Sequence, residues 1–168
     1  MLTMNEKTSA SELEDWKKKY LEILPLLGHR NWVLIVDSAY PLQSNSSIET
    51  LDTGENIEEV AAYVLKEIDK SKHVRPIIYE DKELGYLTND ICPGVETLRA
   101  NYEALLEGKN VQNFLHDDVF KKLDSASELF KVLVIKTTCT MPYTSLFVCL
   151  DCSYWPADAE KTLRDRMK

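Results

Sequence analysis

The sequence predicts a single α/β domain in which a mostly parallel or mixed central sheet lies between two layers of helices. Residues 32–36 are apolar without alternation, as in a strand that is buried on both faces. Helical and strand-like stretches then follow one another along the chain, and no repeat, low-complexity tract or linker separates them. We therefore expect residues 1–168 to form one domain.

The composition is that of a globular protein that needs neither disulfides nor metal to build a core. The chain has 168 residues, of which 44% are apolar and 29% are charged. A domain of this size buries roughly two-thirds of its unfolded surface. The chain has 20 basic and 28 acidic residues, so its net charge is −8. Because an acidic surface repels phosphate groups, we expect neither nucleic acid nor a membrane as a partner.

The sequence pattern predicts a cytoplasmic location. No apolar stretch approaches the ~18 residues of a membrane span. Residues 1–10 are polar and lack the apolar core of a signal peptide. In the cytoplasm the four cysteines are expected to be reduced thiols.

Helix and strand signals alternate in the first part of the chain. A Ser-x-x-Glu capping box and apolar residues at helical spacing predict a helix over residues 11–24, which Pro25 should kink or end. The apolar strand follows, and then a polar loop at residues 41–47. Asn56 should cap a second helix, whose apolar side chains again recur at helical spacing.

Four strands and three helices are predicted after residue 70. Residues 74–79 indicate a strand, in which Pro76 favours a position at the sheet edge because proline has no backbone N–H to donate. The other predicted elements are a helix at 95–106, a strand at 111–115, a helix at 116–130 broken around residues 124–125, strands at 131–136 and 145–150, and a helix at 156–167 that begins with Pro156.

Two polar residues lie on either side of the central strand. His29 precedes the strand, and Asp37 follows it, at the end where open α/β sheets bind ligands. Asp37 is equally explained as a turn residue that bonds its own backbone. At ~3.3 Å per residue the two side chains lie near opposite ends of the strand. Only a curled-back Gly-His turn or a second subunit would bring them together.

The cysteines do not predict a metal site or a nucleophile. Cys149 and Cys152 have the spacing of a ligand pair, but residues i and i+3 of a strand point to opposite faces. Cys139 has no recognisable base in the sequence to activate it. The chain also has no phosphate-binding loop and no dinucleotide fingerprint.

Two motifs resemble the D-ribose pyranase and L-fucose mutarotase family. The first covers residues 27–41, with Leu-Gly-His, a short apolar strand and Asp-Ser-Ala-Tyr-Pro. The second covers residues 130–148, where a strand ending in a lysine is followed by Pro-Tyr-Thr-Ser and the last strand. The helix at 95–105 resembles the family's middle helix more weakly, and His116, ahead of an amphipathic helix, is similar to the histidine found there in ribose pyranases. The order and separation of the two motifs are similar to those of the family.

The sequence departs from the family pattern around the second motif. Ser145 stands where the family has asparagine, and residues 138–140 replace its usual Gly-Glu. A ligand-binding lysine or tyrosine of the family falls on Phe120 in an ungapped match, and on Lys121 if the match slips by one residue.

The resemblance implies an isomerase that interconverts the cyclic forms of a free monosaccharide, such as ribose or fucose, without a cofactor or a metal. A base would take the proton of the anomeric hydroxyl while an acid protonates the ring oxygen, so that the ring opens and recloses. The catalytic residues implied are His29 and Asp37, and the substrate-binding residues are His116, Tyr143, Ser145 and Lys121. The resemblance also implies a homo-oligomer whose sites are completed between subunits, which would bring His29 to Asp37.

Two functions of other classes remain open. The departures at Ser145 and Phe120 fit a sugar-binding or regulatory module that has lost catalysis. Alternatively, the added helices at 11–24 and 156–167 form the surface of an interaction protein, although their apolar faces are equally explained by packing against the sheet.

Overall fold

The computed structural model describes residues 15–168 and contains a mixed α/β sheet flanked by helices. The strands are β1 (Trp32–Val36), β2 (Ile48–Asp52), β3 (Val74–Asp81), β4 (Asn110–Phe114), β5 (Val132–Lys136) and β6 (Leu146–Cys152). The helices are α1 (residues 15–23 of the described chain), α2 (Ile57–Lys70), α3 (Val95–Leu105), α4 (His116–Ser127) and α5 (Ala157–Arg166). The predicted capping box at residues 11–14 lies outside the described residues.

The six strands lie in the order β2-β5-β1-β6-β3-β4. β1 pairs in parallel with β5, which pairs in parallel with β2, and β3 pairs in parallel with β4. β6 lies between β1 and β3 and is antiparallel to both. The prediction of a mostly parallel or mixed sheet is therefore confirmed. This topology also places the carboxyl ends of β1 and β3 on either side of the amino end of β6.

Both faces of the sheet are covered, which explains why every residue of β1 is buried. Val33 and Ile35 point into the larger core, which is formed with α1, α2 and α3. Leu34 and Val36 point into a smaller core on the other face, which is formed with α4. In a strand, successive side chains alternate between faces, so a central strand of a three-layer domain is apolar throughout.

The first and last helices differ in how they meet the rest of the chain. Trp16 and Tyr20 of α1 are buried in the larger core, and the hydroxyl of Tyr20 donates to the carbonyl oxygen of Val64 at 2.9 Å. Helix α5 buries none of its residues against the described chain.

No helix among residues 15–168 is both long enough and apolar enough to cross a membrane.

Local signals set two of the helix boundaries. The predicted cap of α2 is confirmed, because the Asn56 side chain accepts a hydrogen bond from the backbone N–H of Glu59 at 2.9 Å. At Pro25 the first helix gives way to a 3₁₀ turn over Leu24–Leu26.

Two predictions about element positions are wrong. β3 is an inner strand, but its pairing with β4 begins only at Ile77, so Pro76 lies where the strand has a neighbour on one side. A proline is tolerated there because one flank of the strand is free.

The predicted break around residues 124–125 does not occur, since α4 runs through it. Leu123 and Ser127 are buried on one face of that helix, and packing outweighs the weak helix propensity of Asp and Ser.

Candidate functional site

A cavity of about 290 Å³ opens where the carboxyl ends of β1 and β3 meet the start of α4. Four of the residues predicted from the sequence line it together: Asp37, His116, Tyr143 and Ser145. The side chains come from three separate parts of the chain. The sheet topology brings them together because it places the ends of β1 and β3 beside the start of β6.

Asp37 and Ser145 are linked directly. The register of β1 with β6 pairs Ile35 with Leu146, so the residues just beyond β1 lie beside those just before β6. The Ser145 hydroxyl donates to Oδ1 of Asp37 at 3.0 Å and accepts from the Asp37 backbone N–H at 3.2 Å. These two bonds hold the Asp37 carboxylate at the cavity wall.

His116 is paired with a carboxylate that the sequence did not single out. β3 and β4 are in parallel register, with Asp81 opposite Phe114, and His116 begins α4 two residues later. Nδ1 of His116 lies 2.8 Å from Oδ2 of Asp81. The Glu83 carboxylate accepts from the His116 backbone N–H at 3.0 and 3.1 Å, which satisfies a free donor at the first turn of α4.

Asp81 also lines the cavity, and it is 1% exposed. Its second oxygen, Oδ1, has no hydrogen-bond partner among the described residues. Burial raises the pKa of Asp81 to about 6, and the hydrogen bond with His116 offsets part of that rise. The carboxyl group therefore changes its charge close to the pH range in which histidines titrate.

Asp81 lies at the end of its strand, as Asp37 does. The rule that singled out Asp37, a carboxylate just after an apolar strand, would also have found Asp81. The sequence pattern ends the strand at residue 79, however, so Asp81 lies beyond the predicted end. Helical and strand periodicity does not mark a carboxylate that lies beyond the predicted end of a strand.

Aromatic rings form the apolar wall of the cavity. The rings of His116 and Phe120 are 4.6 Å apart between centroids, and Phe120 stacks on Tyr40 at 6.0 Å. Tyr143 meets His116 edge-on at 5.5 Å and is 38% exposed. The backbone of Tyr143 has φ of 59°, a left-handed conformation that is uncommon for a residue with a side chain. This turn places the phenol at the cavity rather than against the edge of the sheet.

Lys121 does not line this cavity within the chain. Its ammonium group lies 3.7 Å from Asp118, one turn away on α4, and its side chain is 80% exposed. Phe120 lines the cavity instead. Among the described residues that line the cavity, the titratable side chains are two carboxylates, an imidazole and two phenols, with no lysine or arginine.

His29 lies at the opposite end of β1. Its Nδ1 is 3.1 Å from Oδ1 of Asp151, and its side chain is 57% exposed. The five residues of β1 separate His29 from Asp37, a distance of at least about 16 Å at ~3.3 Å per residue. No curled-back turn brings the two side chains together within one chain.

A larger cavity, of about 370 Å³, lies on the α3 side of Asp81. Its lining includes Glu80, Arg99 and Glu103, but no histidine. The Arg99 guanidinium donates to the carbonyl oxygens of Leu84 and Leu87 at 3.0 and 2.7 Å, so it holds the preceding loop in place. Among residues 15–168, no three His, Cys, Asp or Glu side chains are grouped as metal ligands. The smaller cavity is therefore the better candidate for acid–base chemistry.

Two solved structures share this arrangement of strands and helices. RbsD of Bacillus subtilis, solved in complex with D-ribose, superposes with a TM-score of 0.56 at 18% identity, over 77% of this chain and 88% of RbsD. The fucose mutarotase of Streptococcus pneumoniae, solved with L-fucose, gives a TM-score of 0.51 at 18% identity, with the same coverage of the two chains. The chain has the RbsD fold. No family model matches the sequence, and no curated protein is similar enough to count as a relative.

The RbsD fold was expected from the motifs at residues 27–41 and 130–148. At 18% identity the likeness extends to the fold and not to the reaction. The reaction of this RbsD-like chain therefore depends on the residues of its own cavity.

Proposed function

We propose that the protein is a monosaccharide mutarotase or pyranase, an isomerase that interconverts the anomers, or the pyranose and furanose forms, of a free sugar such as ribose or fucose. The observation that carries the proposal is the meeting of Asp37, the Asp81–His116 pair, Tyr143 and Ser145 in one small cavity. The two solved structures of the same fold hold D-ribose and L-fucose, which supports a monosaccharide as the ligand.

The cavity provides both kinds of contact that a sugar needs. Oδ1 of Asp37 is bound to Ser145, which leaves Oδ2 to accept a hydrogen bond from a sugar hydroxyl. Nδ1 of His116 is bound to Asp81, which leaves Nε2 as the ring nitrogen for the ligand. The faces of Phe120 and Tyr143 can pack against the C–H groups of a sugar ring. His116 and Tyr143 hold the ring in this proposal, and Ser145 replaces an amide contact.

Ring opening removes a proton from the anomeric hydroxyl and adds one to the ring oxygen. In the proposal, His29 of a second copy of the chain enters the cavity as the acid–base: it takes the anomeric proton and delivers it to the ring oxygen, so that no net proton is gained or lost. Asp37 orients His29 or binds the sugar hydroxyls. The separation of His29 from Asp37 within one chain supports this, because only another subunit could bring them together. The unperturbed pKa of histidine, about 6.5, allows it to exchange protons near neutral pH. The proposed protein is thus a homo-oligomer and uses no cofactor.

Exchange NMR of free sugars tests the proposal. Wild-type protein should accelerate the exchange of cyclic forms of D-ribose, L-fucose or another sugar in a panel. His29→Ala should lower that rate by about 10²–10⁴-fold, the usual contribution of a positioned acid or base, and His116→Ala should abolish most of it by removing a contact that holds the sugar ring. Glu49→Gln is a matched control, because Glu49 is a strand carboxylate paired with Lys131 far from the cavity. Full exchange in His29→Ala would contradict the role of His29.

Mixing the two inactive variants tests whether subunits share sites. After dissociation and reassembly, some sites combine an intact cavity from His29→Ala with an intact His29 from His116→Ala. Those sites should regain exchange activity. If the mixture stays inactive while both variants assemble as the wild type does, each site is built from one chain.

The second candidate is a sugar-binding module without catalysis. Phe120 favours it, because an apolar ring lines the cavity where the family resemblance implies a lysine or tyrosine. In the NMR panel this function would appear as saturation transfer from protein to sugar with no acceleration of exchange. If no sugar binds or exchanges, both functions are excluded and only the fold remains.

A further inference from the structure

A second histidine–carboxylate pair, formed by His29 and Asp151, lies at the amino end of β1. Asp151 on β6 bonds two different partners through its two oxygens. Oδ1 lies 3.1 Å from Nδ1 of His29, and Oδ2 accepts from Nε and Nη2 of Arg75 at 2.8 and 2.7 Å. Arg75 and Asp151 are also directly paired across β3 and β6.

The backbone fixes His29 beside this carboxylate. Residues 28–31 form a tight turn, in which the Asn31 backbone N–H donates to the carbonyl oxygen of Gly28 at 3.0 Å. Arg30 has φ of 74°, a conformation that side chains rarely adopt. Two backbone hydrogen bonds, from Arg30 to Leu150 and from Leu150 to Asn31, both 2.9 Å, tie the turn to β6 next to Asp151.

The three side chains differ in exposure in a way that presents the imidazole outward. The Asp151 side chain is 21% exposed, whereas the His29 side chain is 57% exposed. Arg75 occupies Oδ2 with two N–H groups, so Oδ1 remains for the histidine. A neutral imidazole that donates from Nδ1 keeps Nε2 free as an acceptor.

We infer that Asp151, held by Arg75, is a positioning residue for His29: it keeps the imidazole proton on Nδ1 and presents Nε2 to the cavity of a second copy of the chain. This inference rests on the proposed function, in which His29 exchanges protons with the sugar. It adds that the acting atom of His29 is Nε2, and that Arg75 selects which oxygen of Asp151 faces the ring.

The substitution Asp151→Asn gives a sharp test because Arg75 dictates how the amide sits. The guanidinium has only donors, so the amide oxygen should turn to Arg75 and the amide NH₂ to His29. His29 would then accept at Nδ1 and carry its proton on Nε2. Nitrogen-15 shifts of the imidazole should show the Nδ1–H form in the wild type and the Nε2–H form in Asp151→Asn. A wild-type ring protonated on Nε2 would overturn the inference without any activity assay.

Activity provides the second readout. Sugar exchange by Asp151→Asn should fall by about ten- to a hundredfold, part of the contribution that a positioned acid or base makes. Glu49→Gln, a carboxylate on another strand paired with Lys131, should leave the rate unchanged. If His29→Ala loses exchange but Asp151→Asn keeps it, the positioning role is refuted and the proposed function stands. If His29→Ala keeps full exchange, the proposed role of His29 itself fails.

Mixed assemblies separate positioning from general damage to the fold. Asp151→Asn keeps its own cavity, so reassembly with His116→Ala should restore exchange, because the intact His29 and Asp151 of the latter serve that cavity. Reassembly with His29→Ala should restore nothing. Recovery in both mixtures, or in neither, would contradict the inference.

Discussion

A histidine–aspartate pair lies near each end of the sheet's central strands β1 and β6, and the two pairs have opposite surroundings. At the carboxyl end of β1, Asp81 lies 2.8 Å from His116, and at the amino end, Asp151 lies 3.1 Å from His29. Asp81 is 1% exposed, and burial raises its pKa to about 6. Burial also acts on Asp151, but the hydrogen bonds and charge of Arg75 hold the pKa of Asp151 below its ordinary value.

The difference shows that a histidine partner does not by itself decide the charge of a carboxylate. A carboxylate that is buried beside an imidazole and near other carboxylates, as Asp81 is, takes up a proton readily, since the imidazole offsets only part of the loss of water. A carboxylate that also bonds a guanidinium stays ionised, because arginine keeps its charge at every relevant pH. The cavity therefore contains an acid that titrates near pH 6, and the exposed end contains a fixed anion.

The largest effect expected from the difference between the two pairs is in the pH dependence of the free energy of unfolding. Asp81 binds a proton more tightly in the folded chain, with a pKa of about 6, than in the unfolded chain, with an ordinary value of 3.8. Its contribution to stability is thus fully present below about pH 4 and is lost as the pH rises through 6. Asp81→Asn should remove this loss. The free energy of unfolding of the variant, relative to that of the wild type, should therefore rise by roughly 2–3 kcal/mol between pH 4 and pH 7.

Urea unfolding of wild type and Asp81→Asn at several pH values measures this gain. Asp118→Asn is the control, because that carboxylate is 49% exposed on α4 and pairs with the exposed Lys121. The control curve should run parallel to that of the wild type. If the Asp81→Asn curve is also parallel, Asp81 is not the titrating group that the cavity geometry indicates.

An intermediate effect sharpens the contrast between the two pairs. No arginine among residues 15–168 bonds the carboxylate of Asp81, so in Asp81→Asn the amide oxygen can keep facing Nδ1 of His116 while the NH₂ takes the place of Oδ1, which has no partner among those residues. In Asp151→Asn, by contrast, Arg75 turns the amide oxygen towards itself and leaves the NH₂ facing His29. Asp81→Asn should therefore keep the Nδ1–H form of His116. Its rate of sugar exchange should fall by at most about tenfold, which corresponds to about 1.4 kcal/mol. This loss is smaller than the one expected for Asp151→Asn. An equal or larger loss in Asp81→Asn would remove the distinction.

The smallest expected effect is that of Arg75. Its side chain is 48% exposed, so Arg75→Gln should destabilise the fold by at most about 1 kcal/mol at neutral pH. A carboxylate whose pKa is lower in the folded than in the unfolded chain stabilises the fold at pH values above its unfolded pKa. This contribution is lost as the pH falls through its folded pKa. The deficit of the variant should thus shrink as the pH falls below the ordinary carboxylate pKa of 3.8 and disappear below the lowered pKa of Asp151, as thermal unfolding would show. Lys131→Gln, from an exposed pair with Glu49, is the matched control. A deficit that persists in acid would assign the effect of Arg75 to packing.

The sequence by itself determined the elements whose causes are local. The unbroken apolar stretch of β1 requires cover on both faces, and Asn56 caps α2 through a bond three residues along the chain. The position of Asp37 beyond β1 follows from the same local pattern. The two motifs at the chain's front and end also predicted the fold that the sheet order confirms.

Only the tertiary structure decided which distant side chains meet. The pairing of β3 with β6 and β4 made a strand with Pro76 an inner one, and the parallel register of β3 and β4 placed Asp81 against His116. The rotation of α4 turned Phe120, and not Lys121, towards the cavity. Periodicity reports which face of an element is buried, but the element that covers that face is set by pairing between residues far apart in the sequence.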